Sequence, residues 1–230
     1  MKAIILAAGI GSRLDSDLPK VLSKVINEKT ILDFQIEKIS KKFGIINILV
    51  VIGYKKEHIL EKFPTLNFVF NDKYQTTNTA KSLLLALQKI NDDIICVAGD
   101  LYFDEAVLDL ISNTKHSAAL VDKKICESED IKYNLDSHGY IRNLSKSVKN
   151  PTGEALGIFL IKKDDLKEIK KELNHLNDND YFSKGLENLI GKGKLKVVPV
   201  YVGNLFCKEF DFKDELKNII KFVNTQLEHE

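Results

Sequence analysis

The chain has 230 residues, 44% hydrophobic and 29% charged, with 34 basic against 33 acidic side chains and a net charge of +1. That length supports a substantial core, and the balanced charge argues against a broad nucleic-acid surface or a polybasic membrane patch. No apolar run reaches the roughly 20 residues that span a bilayer, and Ala3 to Ala8 is too short for a signal-peptide core.

Cys96, Cys126 and Cys207 are widely spaced, with no CxxC pair, and the five histidines form no HxxxH or HExxH pattern. The expectation is a cytoplasmic protein with free, buried thiols and no zinc motif.

In chain order, Ala3 to Ala8 reads as a buried strand that leaves through small residues. Thr30 to Phe43 reads as a helix capped by Thr30, with Ile31, Phe34 and Ile39 on one side. Asn47 to Ile52 is a second strand, His58 to Phe63 a short helix, and Asn67 to Phe70 a third strand. Asn78 to Ile90 carries Leu83, Ala86, Leu87 and Ile90 at helical spacing, and Asp93 to Ala98 is a fourth strand closed by Gly99 and Asp100.

Ser117 to Val121, Tyr140 to Leu144, Leu156 to Ile161 and Leu195 to Val202 read as further strands. Asp164 to Leu173 is the one clear helix among them, and Phe212 to Leu227 is a terminal helix. Short buried strands alternating with helices predict an α/β fold: a Rossmann-like, mostly parallel but mixed sheet with helices on both faces and an antiparallel hairpin at one edge. With no linker-like stretch, residues 1–230 read as one domain.

The loop after the first strand carries the chemistry. Leu6-Ala7-Ala8-Gly9-Ile10-Gly11-Ser12-Arg13 is followed by Pro19-Lys20. A Walker loop fails because Gly11 precedes Ser12 and Arg13, and a dinucleotide fingerprint fails because its third glycine position holds Leu14. LAAGxGxR followed by PK resembles the signature of the nucleotidyltransferases that activate phosphorylated small molecules with an NTP. The resemblance implies a GT-A-like fold, with a nucleotide-binding half over about 1–115 and an acceptor-binding half over about 116–230.

In the implied reaction an acceptor phosphate oxygen attacks the α-phosphorus and pyrophosphate leaves in line, so catalysis rests on positioning and charge neutralisation. The strand end and loop, with Leu6, Ala8, Gly9, Gly11 and Ser12, would cradle the triphosphate through backbone N–H groups. Arg13 would grip the β- and γ-oxygens with its planar fork, and Lys20 would act as a point charge near the α-phosphate.

A triphosphate is normally handled with Mg²⁺, which takes one or two carboxylates plus water and phosphate oxygens. A Gly99-Asp100 pair after a strand is by itself a turn; behind the first motif, Asp100 matches the family's metal-binding aspartate. Asp211, in Lys208-Glu209-Phe210-Asp211-Phe212, takes the place of the second ligand, although Phe212 and Lys213 replace the small residues usual there.

Between Asn71 and Leu83 there is no Gly-Thr-Ala run of the kind that uridylyl- and thymidylyltransferases use. The stretch is more similar to the CTP:phosphocholine and CTP:phosphoglutamine cytidylyltransferases, with Asn78 and Ser82 matching the residues before the helix. The resemblance therefore implies CTP, with sugar-1-phosphate uridylyl or thymidylyl transfer as the alternative and an inactive nucleotide-binding regulator as a third reading.

For the acceptor, Lys146 and Glu154 stand out, Glu154 within a GExxG element. Lys132 and Arg142 would suit a zwitterion, and Tyr74, Tyr102 and Tyr181 are the aromatics available for a cationic head. The implied setting is activation of a building block for a capsule or surface polysaccharide. A homodimer is allowed but not argued for.

Overall fold

Both faces of the first strand are buried, and this sets the architecture. The computed structural model describes residues 1–11 and 17–228. Strand β1 (Lys2–Ala7) sends Ala3, Ile5 and Ala7 into one core cluster and Ile4 into the other, following the period of two that a strand imposes. It lies between β4 (Ile48–Ile52) and β6 (Ile94–Ala98), parallel to both, and β5 (Asn67–Phe70) extends this parallel run beyond β4. Parallel strands covered on both sides read as unbroken apolar runs, as ILVVI in β4 and IICVA in β6 do.

Beyond β6 the direction reverses. Strand β11 (Gly153–Ile161) pairs antiparallel with β6, with β8 (Ser117–Asp122) and with β9 (Lys132–Leu135). Strand β10 (Ile141–Ser145) closes an antiparallel hairpin with β9 at the sheet edge, and β12 (Val197–Tyr201) runs parallel to β8. The result is a mixed nine-stranded sheet in the order β10-β9-β11-β6-β1-β4-β5, with β8 and β12 branching from β11. The α/β architecture matches the expectation. The edge hairpin is present, with β9 as a strand that sequence periodicity did not mark.

Helices cover the two faces separately. Helices α1 (Ile31–Phe43), α2 (Lys56–Lys62) and α4 (Ala106–Ser112) supply Leu32, Ile36, Ile59, Val107 and Ile111 to one cluster. Helices α3 (Thr79–Leu87), α5 (Leu166–His175) and α6 (Phe182–Gly191) supply Leu83, Leu87, Ile169, Leu173 and Leu186 to the other. Ile5 and Val97 are completely buried, each contributing about 1.5–3 kcal/mol of transfer free energy. An Ile5→Asp change would place an uncompensated charge mid-sheet and abolish the fold.

Helix α6 corrects the expectation of a single helix among the second-half strands, ahead of the terminal one. The helix expected over Asp164–Leu173 is a 3-10 turn, Lys163–Asp165, leading into α5. Cys96 and Cys207 are buried free thiols as expected, whereas Cys126 is only half-buried in the loop before β9. Among the described residues no helix is long and apolar enough to cross a membrane.

Helix α1 starts where Thr30 accepts from the Asp33 N–H and the Asp33 carboxylate accepts from the Thr30 N–H, a reciprocal cap. Thr30→Ala removes about 1 kcal/mol of that. Strands β2 (Lys24–Ile26) and β3 (Lys29–Thr30) form a short hairpin that leads into the helix. Two further short strands, β7 (Leu101–Phe103) and β13 (Cys207–Glu209), pair antiparallel outside the main sheet. Against them packs α7 (Lys213–Leu227), with Ile219 and Val223 touching the cluster of Val25, Ile31, Tyr102 and Phe210.

Candidate active site

The carboxyl ends of β1 and β6 open into a cleft of about 530 Å³, at the edge where open α/β sheets gather ligands. Leu6, Gly9 and Gly11 line one wall, with Lys20, Asp100 and Asp211 beside them. Gly11 has φ +66°, and a Cβ there would stand 2.8 Å from Lys20 Cβ. The position thus requires glycine for both conformation and space. Ala8 is buried beneath the loop and its carbonyl accepts from the Tyr54 N–H at 3.2 Å. Ser12 and Arg13 lie outside the described residues.

Lys20 opens a 3-10 turn, Lys20–Leu22, whose Val21 and Leu22 are anchored in the core. Its ammonium donates to Asp100 Oδ2 at 2.7 Å and to Asp211 Oδ1 at 2.6 Å, and lies over the Phe210 ring. Burial disfavours this charge, but Asp100 and then Asp211 outweigh it and hold the lysine above its ordinary range.

Backbone pairing brings the two aspartates together across the sequence. The β7–β13 ladder sets Leu101 opposite Glu209, and the Phe210 N–H donates to the Asp100 carbonyl at 3.1 Å. Asp211 follows at once, and the Glu215 carboxylate at the start of α7 accepts from the Asp211 and Phe212 N–H groups.

Glu209 was quoted in the sequence without a role, yet it lines the cleft and accepts from the Gly157 N–H at 3.1 Å. The residue is open to the cleft as a whole, while protein atoms crowd its carboxyl. That crowding, and after it the Asp100 charge, pushes the Glu209 carboxyl above its ordinary range. The signal was alternation, since Glu209 and Asp211 stand two apart at a strand end.

Asn78 lines the cleft and caps α3: its Oδ1 accepts from the Thr79 N–H at 2.8 Å and its Nδ2 donates to the Asn179 carbonyl. Ser82 does not reach the cleft. It is buried, and its hydroxyl accepts from Asn71 Nδ2 at 3.0 Å. Tyr74 and Thr77 line the wall nearby.

At the far end Lys146 lines the cleft, pairs with Glu129 at 2.9 Å and lies over the Tyr181 ring. Glu154 departs from the expectation. Ala155, Gly157 and Phe159 line the cleft, and Glu154, out of phase with them on β11, pairs instead with Lys124 at 2.9 Å. Two further expectations fail on position. Tyr102 packs in the α7 cluster, and Arg142 lines a separate surface hollow beside Tyr140 and Lys196. Lys132 turns its ammonium to the Ser128 and Lys146 carbonyls.

The arrangement can bind an anion against the Gly9–Gly11 backbone, neutralise it with Lys20, and let one cation touch both Asp100 and Asp211. A MobA-like NTP transferase domain matches residues 3–127. The CTP:phosphoglutamine cytidylyltransferase of Campylobacter jejuni is 32% identical, over 92% of this chain and 93% of its own. The choline-phosphate cytidylyltransferase of Streptococcus pneumoniae is 39% identical over 45% of this chain and 46% of its own. The solved CTP:phosphocholine cytidylyltransferase from Streptococcus pneumoniae shares the fold, with a TM-score of 0.79 at 22% identity over 96% of this chain and 98% of that one.

Proposed function

We propose that this chain, which belongs to the MobA-like NTP transferase family and is a nucleotidyltransferase, transfers CMP from CTP to a small phosphorylated acceptor and releases pyrophosphate. The observation that carries the reading is Lys20 with Asp100 and Asp211 at the mouth of the glycine loop. The likeness along nearly the whole chain to a CTP:phosphoglutamine enzyme favours cytidine and an acceptor with an amino-acid head. We read residues 1–230 as one domain, because β11 of the second half pairs directly with β6 of the first.

In this reading the acceptor phosphate oxygen attacks the α-phosphorus of CTP, and the bond to the pyrophosphate oxygen breaks on the opposite side. Backbone N–H groups from Gly9 onward hold the triphosphate, and Arg13 takes its β- and γ-oxygens. Lys20 neutralises the charge that builds on the α-phosphate oxygens. Lys146 meets the acceptor phosphate, and Glu129 beside it faces the acceptor's ammonium group. Asn78 and its neighbours Tyr74 and Thr77 surround the base. The product would be a CDP-activated building block of the kind used for surface polysaccharides.

Asp100 and Asp211 fit Mg²⁺, since the Lys20 ammonium already shows a single cation within contact distance of both carboxylates. When bound, Mg²⁺ supplies phosphate charge neutralisation and a template for in-line displacement.

Pyrophosphate release, measured with each NTP against a panel of phosphorylated acceptors, tests the reading. CTP with a phosphorylated amino-acid amide should give the fastest release. Fast release with UTP and a hexose 1-phosphate would overturn the cytidine assignment, and fast release with CTP and phosphocholine would move the acceptor.

A further inference from the structure

Gln35 stands where α1 should be apolar. It falls on the buried stripe with Ile31, Leu32, Ile36 and Ile39, and only 1% of it is exposed. Its Nε2 donates to the carbonyls of Leu101 at 2.6 Å, Ala98 at 2.9 Å and Gly99 at 3.4 Å. Its Oε1 is buried with no partner among the described residues.

The three acceptors bracket Asp100. Between β6 and β7 the carbonyls of residues 98, 99 and 101 converge on this one amide, and the fourth, that of Asp100, takes the Phe210 N–H. These carbonyls turn inward at the point where the chain leaves the sheet, so a buried donor must satisfy them. The turn is held from its other side as well, because a Cβ on Gly99 would stand 2.5 Å from the Leu6 carbonyl and 2.7 Å from Val21 Cγ1. An apolar residue at position 35 would fill the same space and strand no acceptor of its own. The amide is therefore placed for its donors, at the cost of a stranded Oε1.

We propose that Gln35 is the positioning residue of the site: it fixes the Gly99–Asp100 turn so that the Asp100 carboxylate stands preset toward Lys20 and the cation position. This rests on the reading of Asp100 as a metal ligand. The class of effect is that of residues that orient a ligand without touching the metal, whose loss weakens affinity or activity by about 10- to 100-fold.

The test is Gln35→Met in the full chain, with Gln35→Glu as a second variant of the original size. Two readouts are needed: the Mg²⁺ concentration that half-saturates pyrophosphate release, and hydrogen exchange at the backbone amide of Phe210. The proposal expects the half-saturating Mg²⁺ to rise roughly tenfold or more, the acceptor KM to stay unchanged, and the Phe210 amide to exchange faster. Folded variants with wild-type Mg²⁺ dependence would overturn it.

Should Gln35→Met fail to fold, Gln35→Glu decides by the same two readouts. If the wild-type protein releases no pyrophosphate with any pair, the proposed reaction falls, and the exchange rate alone judges Gln35. Faster exchange then upholds its hold on the turn, and unchanged exchange removes it.

Discussion

Lys20 and Lys124 each bridge two carboxylates, but only Lys20 does so within the cleft. Lys20 joins Asp100 and Asp211, which are 111 positions apart in the chain. Lys124 joins Glu154 at 2.9 Å and Asp130 at 3.6 Å, within one loop and the strand it crosses. The shifts around Lys124 point in different directions. Lys124 is held above its ordinary range and Asp130 below, each against the pull of burial, while burial pushes Glu154 up to about 7 despite Lys124.

Burial thus favours the protonated form of Glu154, while hydrogen bonds and Lys124 favour the ionised form of Asp130. One cluster is open to ligands; the other ties the loop that carries Glu129 and Ile131 to the cleft wall. A lysine between two carboxylates can line a cleft or serve as a strut, according to where in the fold it stands.

Exchanging or removing members of each cluster sharpens the contrast. Lys20→Ala should lower turnover about a hundredfold or more, the loss seen when a charge-stabilising donor is removed from a transition state. Asp211→Asn should also lower turnover by about tenfold or more with the fold retained, read by pyrophosphate release and circular dichroism. Full activity in either variant would remove that residue from the mechanism.

Lys124→Met should behave otherwise. It should cost about 2–3 kcal/mol of stability in denaturant titration, because a half-buried charge loses its partner. Acceptor KM should rise a few-fold and the CTP dependence should stay unchanged. An equal fall in turnover for Lys124→Met and Lys20→Ala would erase the distinction between the clusters.

The smallest effect concerns pH. The folded-state pKa of Glu154 lies above the ordinary value of 4.5, at about 7, so the folded protein binds a proton that the unfolded chain releases. The resulting stabilisation is complete below about pH 4.5 and is lost as pH rises through about 7. Glu154→Gln should flatten that decline by about 1–2 kcal/mol between pH 5 and 8. A variant with the wild-type slope would show that Glu154 is charged in the fold throughout.

The sequence made much of the sheet legible because both faces of its central strands are buried, so β1, β4 and β6 stand out as apolar runs. Strands β7 and β13, of three residues each, are too short to show a period, and they are the ones that join Asp100 to Asp211. Helix α6 was hidden by its two glycines, Gly185 and Gly191. At the site, the spacing of Gly9, Gly11 and Lys20 drew attention to a loop that does line the cleft. Glu154 was misread because a motif letter does not say which face of β11 a side chain takes. Gln35 was invisible, since only the fold shows what an amide on an apolar stripe touches.

The β7–β13 pairing also governs when the site can exist during synthesis. Residues 1–127 contain Lys20 and Asp100, but the partner strand for β7 begins only at Cys207. A ribosome-bound chain that has folded β1, β4 and β6 still presents Asp100 without Asp211, and closing the loop between residues 100 and 210 is a late, entropically costly event. A growing polypeptide of this protein thus holds Asp100 and Asp211 apart until β13 can pair with β7.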